Sequence, residues 1–148
     1  VLSLLIGIIL GIASSIVKEK KSGKIYVISE IEKLIPIKLI SQININKIDF
    51  ETQNLLFIKD LLNKESTSLV NFMPIGDPIT QELAKLKESL MKEKCTKDIL
   101  FSSNKDEIKE YSNYLILKLG FITYSEIYTL EKRLNFLEDK FNGLVVLS

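Results

Sequence analysis

The chain opens with a continuous apolar stretch, residues 1–17, which contains no charged residue, and residues 18–24 then carry four lysines and one glutamate. At about 1.5 Å of rise per residue the stretch forms about 25 Å of helix, near the lower limit for crossing a bilayer core about 30 Å thick. The pattern predicts a transmembrane helix over residues 1–17. Because positive charge collects on the cytoplasmic side of a span, the rest of the chain is expected in the cytoplasm. The juxtamembrane basic residues are Lys18, Lys20, Lys21 and Lys24.

Other structures fit residues 1–17 less well. A secretory signal peptide carries its positive charges before the apolar stretch, whereas here they follow it. A soluble helix without a polar face would need covering on every side. Gly7 and Gly11 form a G-x-x-x-G pair. This pair either packs against another membrane helix, which favours a homo-oligomer, or reflects the frequency of glycine in membrane helices.

After a juxtamembrane segment, residues 18–36, strand and helix patterns alternate over residues 37–148. Stretches rich in β-branched residues predict strands, and apolar residues at helical spacing predict amphipathic helices between them. This alternation is typical of an α/β fold with a mostly parallel sheet. The predicted strands are 37–43, 67–73, 98–102, 121–123 and 143–148, and the predicted helices are 29–35, 50–63, 79–94, 105–119 and one beginning near 124.

Local signals predict where the helices begin and end. A serine or threonine followed three residues later by glutamate forms a capping box, and an aspartate before a helix accepts hydrogen bonds from its first N–H groups. Gly120 is predicted to end the helix at 105–119, which would bury Leu115. The predicted N-terminal signals are Ser29 with Glu32, Thr123 with Glu126, Asp49, and Asp77 with Pro78.

Residues 143–148 form an apolar run without alternation, which is typical of a strand buried on both faces of a parallel sheet. Because the last residues are predicted to form a central strand, a C-terminal truncation is one expectation. The first residue is Val1 rather than methionine. Either an alternative start or a fragment of a longer protein is therefore expected.

Composition excludes several kinds of chemistry. The formal charge is +1, and its positive excess lies beside the apolar stretch, so lipid headgroups explain it and nucleic acid is not an expected partner. Histidine is absent, which removes histidine-dependent catalysis and imidazole metal sites. The single Cys95 suits a reducing compartment. Acidic residues at 106–110 either gather a cation or, far more commonly, compensate a helix dipole, so no metal site is predicted.

The strand, glycine-containing turn and helix at 67–94 have the layout of a phosphate-binding loop. Such a loop needs glycines that expose backbone N–H groups, a lysine for the phosphates and a hydroxyl for magnesium. The turn at 74–80 has one glycine and no lysine, and Asp77 would repel an anion. This predicts a degenerate loop, no cofactor and no catalytic activity. Its notable residues are Pro74, Gly76, Asp77 and Thr80.

A glycine-containing apolar span, a charged exit and the sequence at 27–40 resemble the second membrane helix and juxtamembrane segment of bacterial polysaccharide co-polymerases, the chain-length determinant proteins. In many members this segment leads into a cytoplasmic tyrosine autokinase domain of the P-loop type. The resemblance implies that residues 68–76 match the first strand and phosphate loop, 99–103 the strand of the second magnesium-site aspartate, and 137–148 the last helix end and strand. Ser102 and Ser103 stand where an aspartate is expected, and the final strand has none.

The resemblance implies a non-catalytic, membrane-anchored component of surface polysaccharide biosynthesis and chain-length control in the bacterial inner membrane. Its partners would be the membrane, further copies of itself and polysaccharide assembly proteins. One alternative is a divergent membrane-bound P-loop ATPase or tyrosine kinase. The other is an unrelated small bitopic membrane protein with a partner-binding domain.

Overall fold

The computed structural model describes residues 2–102, 111–136 and 141–148, with the side chains of residues 6–17 and Ser22 described in the first helix and those up to Leu134 in the last. The helices are α1 (Leu2–Ser22), α2 (Ile28–Leu34), α3 (Thr52–Asn63), α4 (Thr80–Lys92) and α5 (Tyr124–Phe136), with a 3₁₀ helix at Ile45–Phe50. The strands are β1 (Leu39–Ile43), β2 (Leu69–Ile75), β3 (Asp98–Leu100), β4 (Ser112–Lys118) and β5 (Gly143–Leu147). After the first two helices, helical segments separate the strands except between β3 and β4, most of whose connection lies outside the described residues.

The strands form one five-stranded sheet in the order β1-β5-β4-β2-β3. Every neighbouring pair is parallel, which confirms the prediction of an α/β fold with a mostly parallel sheet. β5 lies between β1 and β4, and all five of its residues are buried. The apolar run at 143–148 is therefore a strand covered on both faces, as predicted.

Two apolar cores lie on opposite faces of the sheet. Side chains of α3, α4 and the 3₁₀ helix cover one face, around Phe72, Leu86 and Ile116. Side chains of α2 and α5 cover the other, around Ile31, Leu115 and Ile127. Alternate residues of β4 therefore enter different cores, as the two-residue period of a strand requires.

The first helix, α1, contains the predicted membrane segment 1–17 and runs on to Ser22, 21 residues in all. Every side chain described between residues 6 and 17 is exposed. Among the residues that the structure describes, no helix combines the length and the apolar character needed to cross a membrane.

The prediction of a helix at 105–119 is wrong for its second half, because residues 112–118 form β4. Tyr111, Leu115 and Leu119 have helical spacing, but the strand is apolar on both faces and so shows no period of its own. The first half, residues 105–110, lies outside the described residues. The predicted strand at 121–123 is also wrong, since it contributes only an isolated bridge between Thr123 and Lys24.

The helix-start predictions had mixed outcomes. The Thr123–Glu126 capping box is present: the Thr123 N–H donates to Glu126 Oε2 at 2.8 Å, and the Glu126 N–H donates to Thr123 Oγ1 at 3.3 Å. The other three signals are wrong, because Val27, Glu51 and Ile79 occupy the N-cap positions of α2, α3 and α4 without side-chain capping bonds.

Candidate functional site

The connections leaving β2 and β4 go to opposite faces of the sheet. β2 leads into α4 on one face and β4 leads into α5 on the other, and the two strands are neighbours. In open parallel sheets, ligands bind beyond the carboxyl ends of the strands where the connections diverge in this way. The predicted degenerate loop follows β2 and therefore lies at this position. We call the space between the loops after β2 (residues 76–79) and β4 (residues 119–123) the switch crevice.

Four residues of the predicted loop are placed as follows. Pro74 belongs to β2, paired with Ile116 of β4, and Thr80 is the first residue of α4. Gly76 has a φ of +96°, a conformation that only glycine adopts readily. Asp77 directs its backbone N–H to the carbonyl oxygen of Phe121, at 2.8 Å. The amide that a phosphate would use is therefore already bonded within the chain.

The loop after β4 approaches the degenerate loop closely. A Cβ atom added to Gly76 would lie 2.5 Å from the Phe121 carbonyl oxygen and 3.2 Å from Cα of Ile122. Gly120, with a φ of +77°, turns the chain at this point. Because both contacts at Gly76 are to backbone atoms, a side chain there could be accommodated only if one loop moved.

A segment from the other end of the chain joins these loops. The Ile25 N–H donates to the Ile122 carbonyl at 2.9 Å, and the Tyr124 N–H donates to the Gly23 carbonyl at 3.0 Å. The Gly120 N–H donates to the Ile25 carbonyl at 2.7 Å, and Ile25 is fully buried. Residues 23–25 and 119–123, the covering segments, thus connect the end of α1 directly to the switch crevice.

Lys24, predicted as a juxtamembrane basic residue, binds the degenerate loop. Its Nζ lies 3.0 Å from Asp77 Oδ2, with side-chain exposures of 33% and 53%. The hydrogen bond and the negative charge of Asp77 raise the pKa of Lys24. This contact links the segment after α1 to the first residue beyond Gly76.

A second ion pair lies near the same aromatic ring as the first, that of Phe121. Lys118 Nζ is 2.6 Å from Glu82 Oε1, with side-chain exposures of only 15% and 20%. The hydrogen bond from Lys118 outweighs burial and lowers the pKa of Glu82. Both lysines make cation–π contacts with the Phe121 ring, whose centroid lies 4.2 Å from Nζ of Lys118 and 5.7 Å from Nζ of Lys24. The two cations are therefore each held by a carboxylate and an aromatic face.

This arrangement is built for internal closure. An incoming phosphate would have to displace the Asp77 carboxylate from Lys24, or Glu82 from Lys118, and would find the Asp77 amide occupied. Sequence reasoning missed Lys118 as a site residue and assigned Lys24 to the membrane surface. The partners lie 53 and 36 residues apart, so no local pattern joins them.

Further predicted residues are placed away from the crevice or beyond description. The Ser102 N–H donates to Asn71 Oδ1 at 2.9 Å and the Ser102 carbonyl accepts from Asn71 Nδ2 at 3.1 Å. The Ser102 backbone, just after β3, is therefore bonded to a side chain of β2. A Cβ atom added at Gly7 or Gly11 would have no neighbour within 4 Å. Ser103, the acidic group at 106–110 and the side chains of Lys18, Lys20 and Lys21 lie outside the described residues.

A polar cluster at the amino ends of the strands was not predicted at all. Glu65 accepts hydrogen bonds from the Tyr114 hydroxyl, from Ser112 Oγ at 2.8 Å and from Asn142 Nδ2 at 3.0 Å. Lys97 donates to the Glu65 carbonyl at 2.7 Å. This group lies at the opposite edge of the sheet from the switch crevice, and its hydrogen bonds satisfy the buried Tyr114 hydroxyl.

The Lys118–Glu82 pair provides a stability prediction. In a double-mutant cycle with Lys118→Met and Glu82→Gln, we expect a coupling energy of about 1–2 kcal/mol, because both side chains are largely desolvated. The matched control is the exposed pair of Lys92 and Glu88, 66% and 68% exposed, for which we expect at most about 0.5 kcal/mol. Urea unfolding of the full chain in mild detergent measures both, and equal coupling energies would contradict the argument from burial.

Comparison with models of protein families, with curated proteins and with solved structures gives no match. The resemblance to polysaccharide co-polymerases therefore stays a prediction from the sequence.

Proposed function

We propose that this chain is a non-catalytic, membrane-anchored component of surface polysaccharide biosynthesis and chain-length control, with a vestigial nucleotide-binding domain. The observation that carries the proposal is the closure of the switch crevice by the chain itself. The Asp77 amide bonds to Phe121, and the Asp77 carboxylate bonds to Lys24. In a working phosphate loop these positions would serve the nucleotide.

The anchor is the second support. The apolar side chains described on α1, from Ile6 to Val17, are about half exposed or more. No residue in 1–17 is charged. A helix that is apolar all round needs an apolar environment, and a bacterial inner membrane would supply it, with the α/β domain on the cytoplasmic side.

The covering segments give the anchor a role beyond attachment. Residues 23–25 follow directly after α1 and bind the loops beyond β2 and β4. A displacement of the membrane helix would therefore act on the vestigial site without any nucleotide. We assign the domain a docking role in polysaccharide assembly on this basis.

The functional test uses the bacterium that encodes the chain. Deleting the gene should change the length distribution of a surface polysaccharide on gels. Expression of the Lys118→Met, Glu82→Gln double variant in the deletion strain should restore the original distribution, since the proposal involves no phosphoryl transfer. An unchanged distribution after deletion would overturn the proposed function.

Gly7 and Gly11 provide a further prediction. Both lie four residues apart on one helix face with open space beside them, so small residues there permit close helix contact. Replacing both with leucine should weaken self-association several-fold in a membrane reporter assay. Gly7→Ala with Gly11→Ala is the matched control and should retain most of the signal. Undiminished association of the leucine variant would make these two ordinary membrane glycines.

A further inference from the structure

A cavity of about 280 Å³ lies beside the end of β2, on the face of the sheet that carries α5. β3 is short, and its last residue, Leu100, pairs with Asn71. β2 therefore runs four residues beyond the end of β3. This overhang leaves the apolar residues Met73 to Ile75 as one wall of the cavity.

The opposite wall is a polar ridge of α5. Ser125, Thr129 and Arg133 line the cavity and are spaced four residues apart, so they lie on one side of the helix. Thr129 Oγ1 donates to the Ser125 carbonyl at 2.9 Å. The cavity thus combines an apolar surface with a row of hydrogen-bonding groups that ends in a cation.

The charges in the cavity are not equivalent. Glu126 also lines it, but its Oε2 already accepts two bonds from Thr123, from the N–H and from Oγ1, each at 2.8 Å. Arg133 has no ion-pair partner among the residues that the structure describes. The guanidinium offers several donors in a planar fork that matches carboxylate and phosphate groups.

We infer that this cavity binds a small organic anion with an apolar body, its anionic group on Arg133 and its body on Met73 to Ile75. The volume is just below the usual range of ligand pockets, about 300–1,000 Å³, so the ligand is a small molecule. Gly76 belongs both to the cavity wall and to the degenerate loop. This site is independent of the proposed function, because its test depends on Arg133 and on phenyl phosphate, whereas the proposed function is tested by polysaccharide length and by ATP.

Phenyl phosphate is a suitable probe, because it joins a phosphate to one apolar ring. Isothermal titration into the full chain in mild detergent should give a dissociation constant on the order of 1 mM or tighter. Inorganic phosphate, which carries the anionic half of the probe, and phenol, which carries its ring, should each bind at least about tenfold more weakly.

Two variants and one control variant locate the site. Arg133→Gln should weaken phenyl phosphate about tenfold or more, since a charge-assisted bond is lost, whereas Lys132→Gln, the same charge removed from the next residue, should leave binding unchanged. Thr129→Trp should block the cavity. The side chains of Thr129, Lys132 and Arg133 are all exposed, so each variant should keep the circular dichroism spectrum of the unmodified chain. Equal affinities of the Arg133 and Lys132 variants, inorganic phosphate binding as tightly as the probe, or no binding of the probe would each overturn the inference.

Discussion

Gly76→Ala should destabilise the domain by about 3 kcal/mol. Part of this cost is conformational, because a φ of +96° is strained for any residue with a side chain. The rest is steric: the new Cβ atom would lie 2.5 Å from the Phe121 carbonyl oxygen, which is fixed by its bond from the Asp77 N–H and cannot rotate away. Urea unfolding of the full chain in mild detergent measures the change in the free energy of unfolding.

Gly23→Ala is the matched control for this substitution. Gly23 also has a positive φ, +63°, but a Cβ atom there would meet nothing within 4 Å. We expect a loss of about 1 kcal/mol from conformation alone. Hydrogen exchange at the Asp77 amide should accelerate in the Gly76 variant and stay unchanged in the Gly23 variant. Equal losses of stability in the two variants would show that the loops beyond β2 and β4 do not press on each other.

Glu65→Ala should cost about 2–3 kcal/mol, the second large effect. Tyr114 as a whole residue is 1% exposed, and the substitution leaves its hydroxyl without the carboxylate acceptor. Leaving a buried polar group unpaired costs more free energy than the net gain from its hydrogen bond. Glu65→Gln should cost less, because its carbonyl oxygen still accepts a bond from Tyr114. Adding Tyr114→Phe to Glu65→Ala should restore part of the stability, since the orphaned hydroxyl is removed. Additive losses in the double variant would contradict this account.

The same cluster predicts the dependence of stability on pH. Burial opposes the charge of Glu65, but the bonds from Tyr114, Ser112 and Asn142 outweigh it and hold the pKa below its ordinary 4.5. Its contribution is present above pH 4.5 and is lost as the pH falls through the lowered pKa, because the unfolded carboxylate protonates first. Burial and then the Glu65 carboxylate raise the pKa of Tyr114 above 10.0. The tyrosine contribution is therefore present below pH 10 and is lost as the pH rises through the raised pKa.

Local chemistry could be predicted from the sequence where it acts over a few residues. The Thr123–Glu126 capping box needs only its two side chains and the backbone between them, and it forms as expected. A buried strand was predicted at 143–148 and observed at Gly143–Leu147, because a continuous apolar run of that length is typical of a strand covered on both faces. β4 was not, because its residues are buried on both faces and carry no alternation that separates a strand from a helix.

The site was predicted only in outline. The sequence predicted a turn after the second strand because glycine, proline and aspartate mark a turn by themselves. It did not reveal what fills the crevice, since Lys24, Asp77 and Phe121 are distant along the chain and meet only through the sheet order. The Asp77 carboxylate was predicted to cap the helix that follows it, but it forms an ion pair with Lys24 instead.

We propose that the chain itself closes the switch crevice against nucleotides. Isothermal titration of the full chain with ATP, with and without magnesium, measures whether a nucleotide binds. We predict no binding in the micromolar range under either condition, and no gain on Lys24→Gln, which frees the Asp77 carboxylate. Magnesium-dependent binding with a micromolar dissociation constant, lost on Lys118→Gln, would contradict the account.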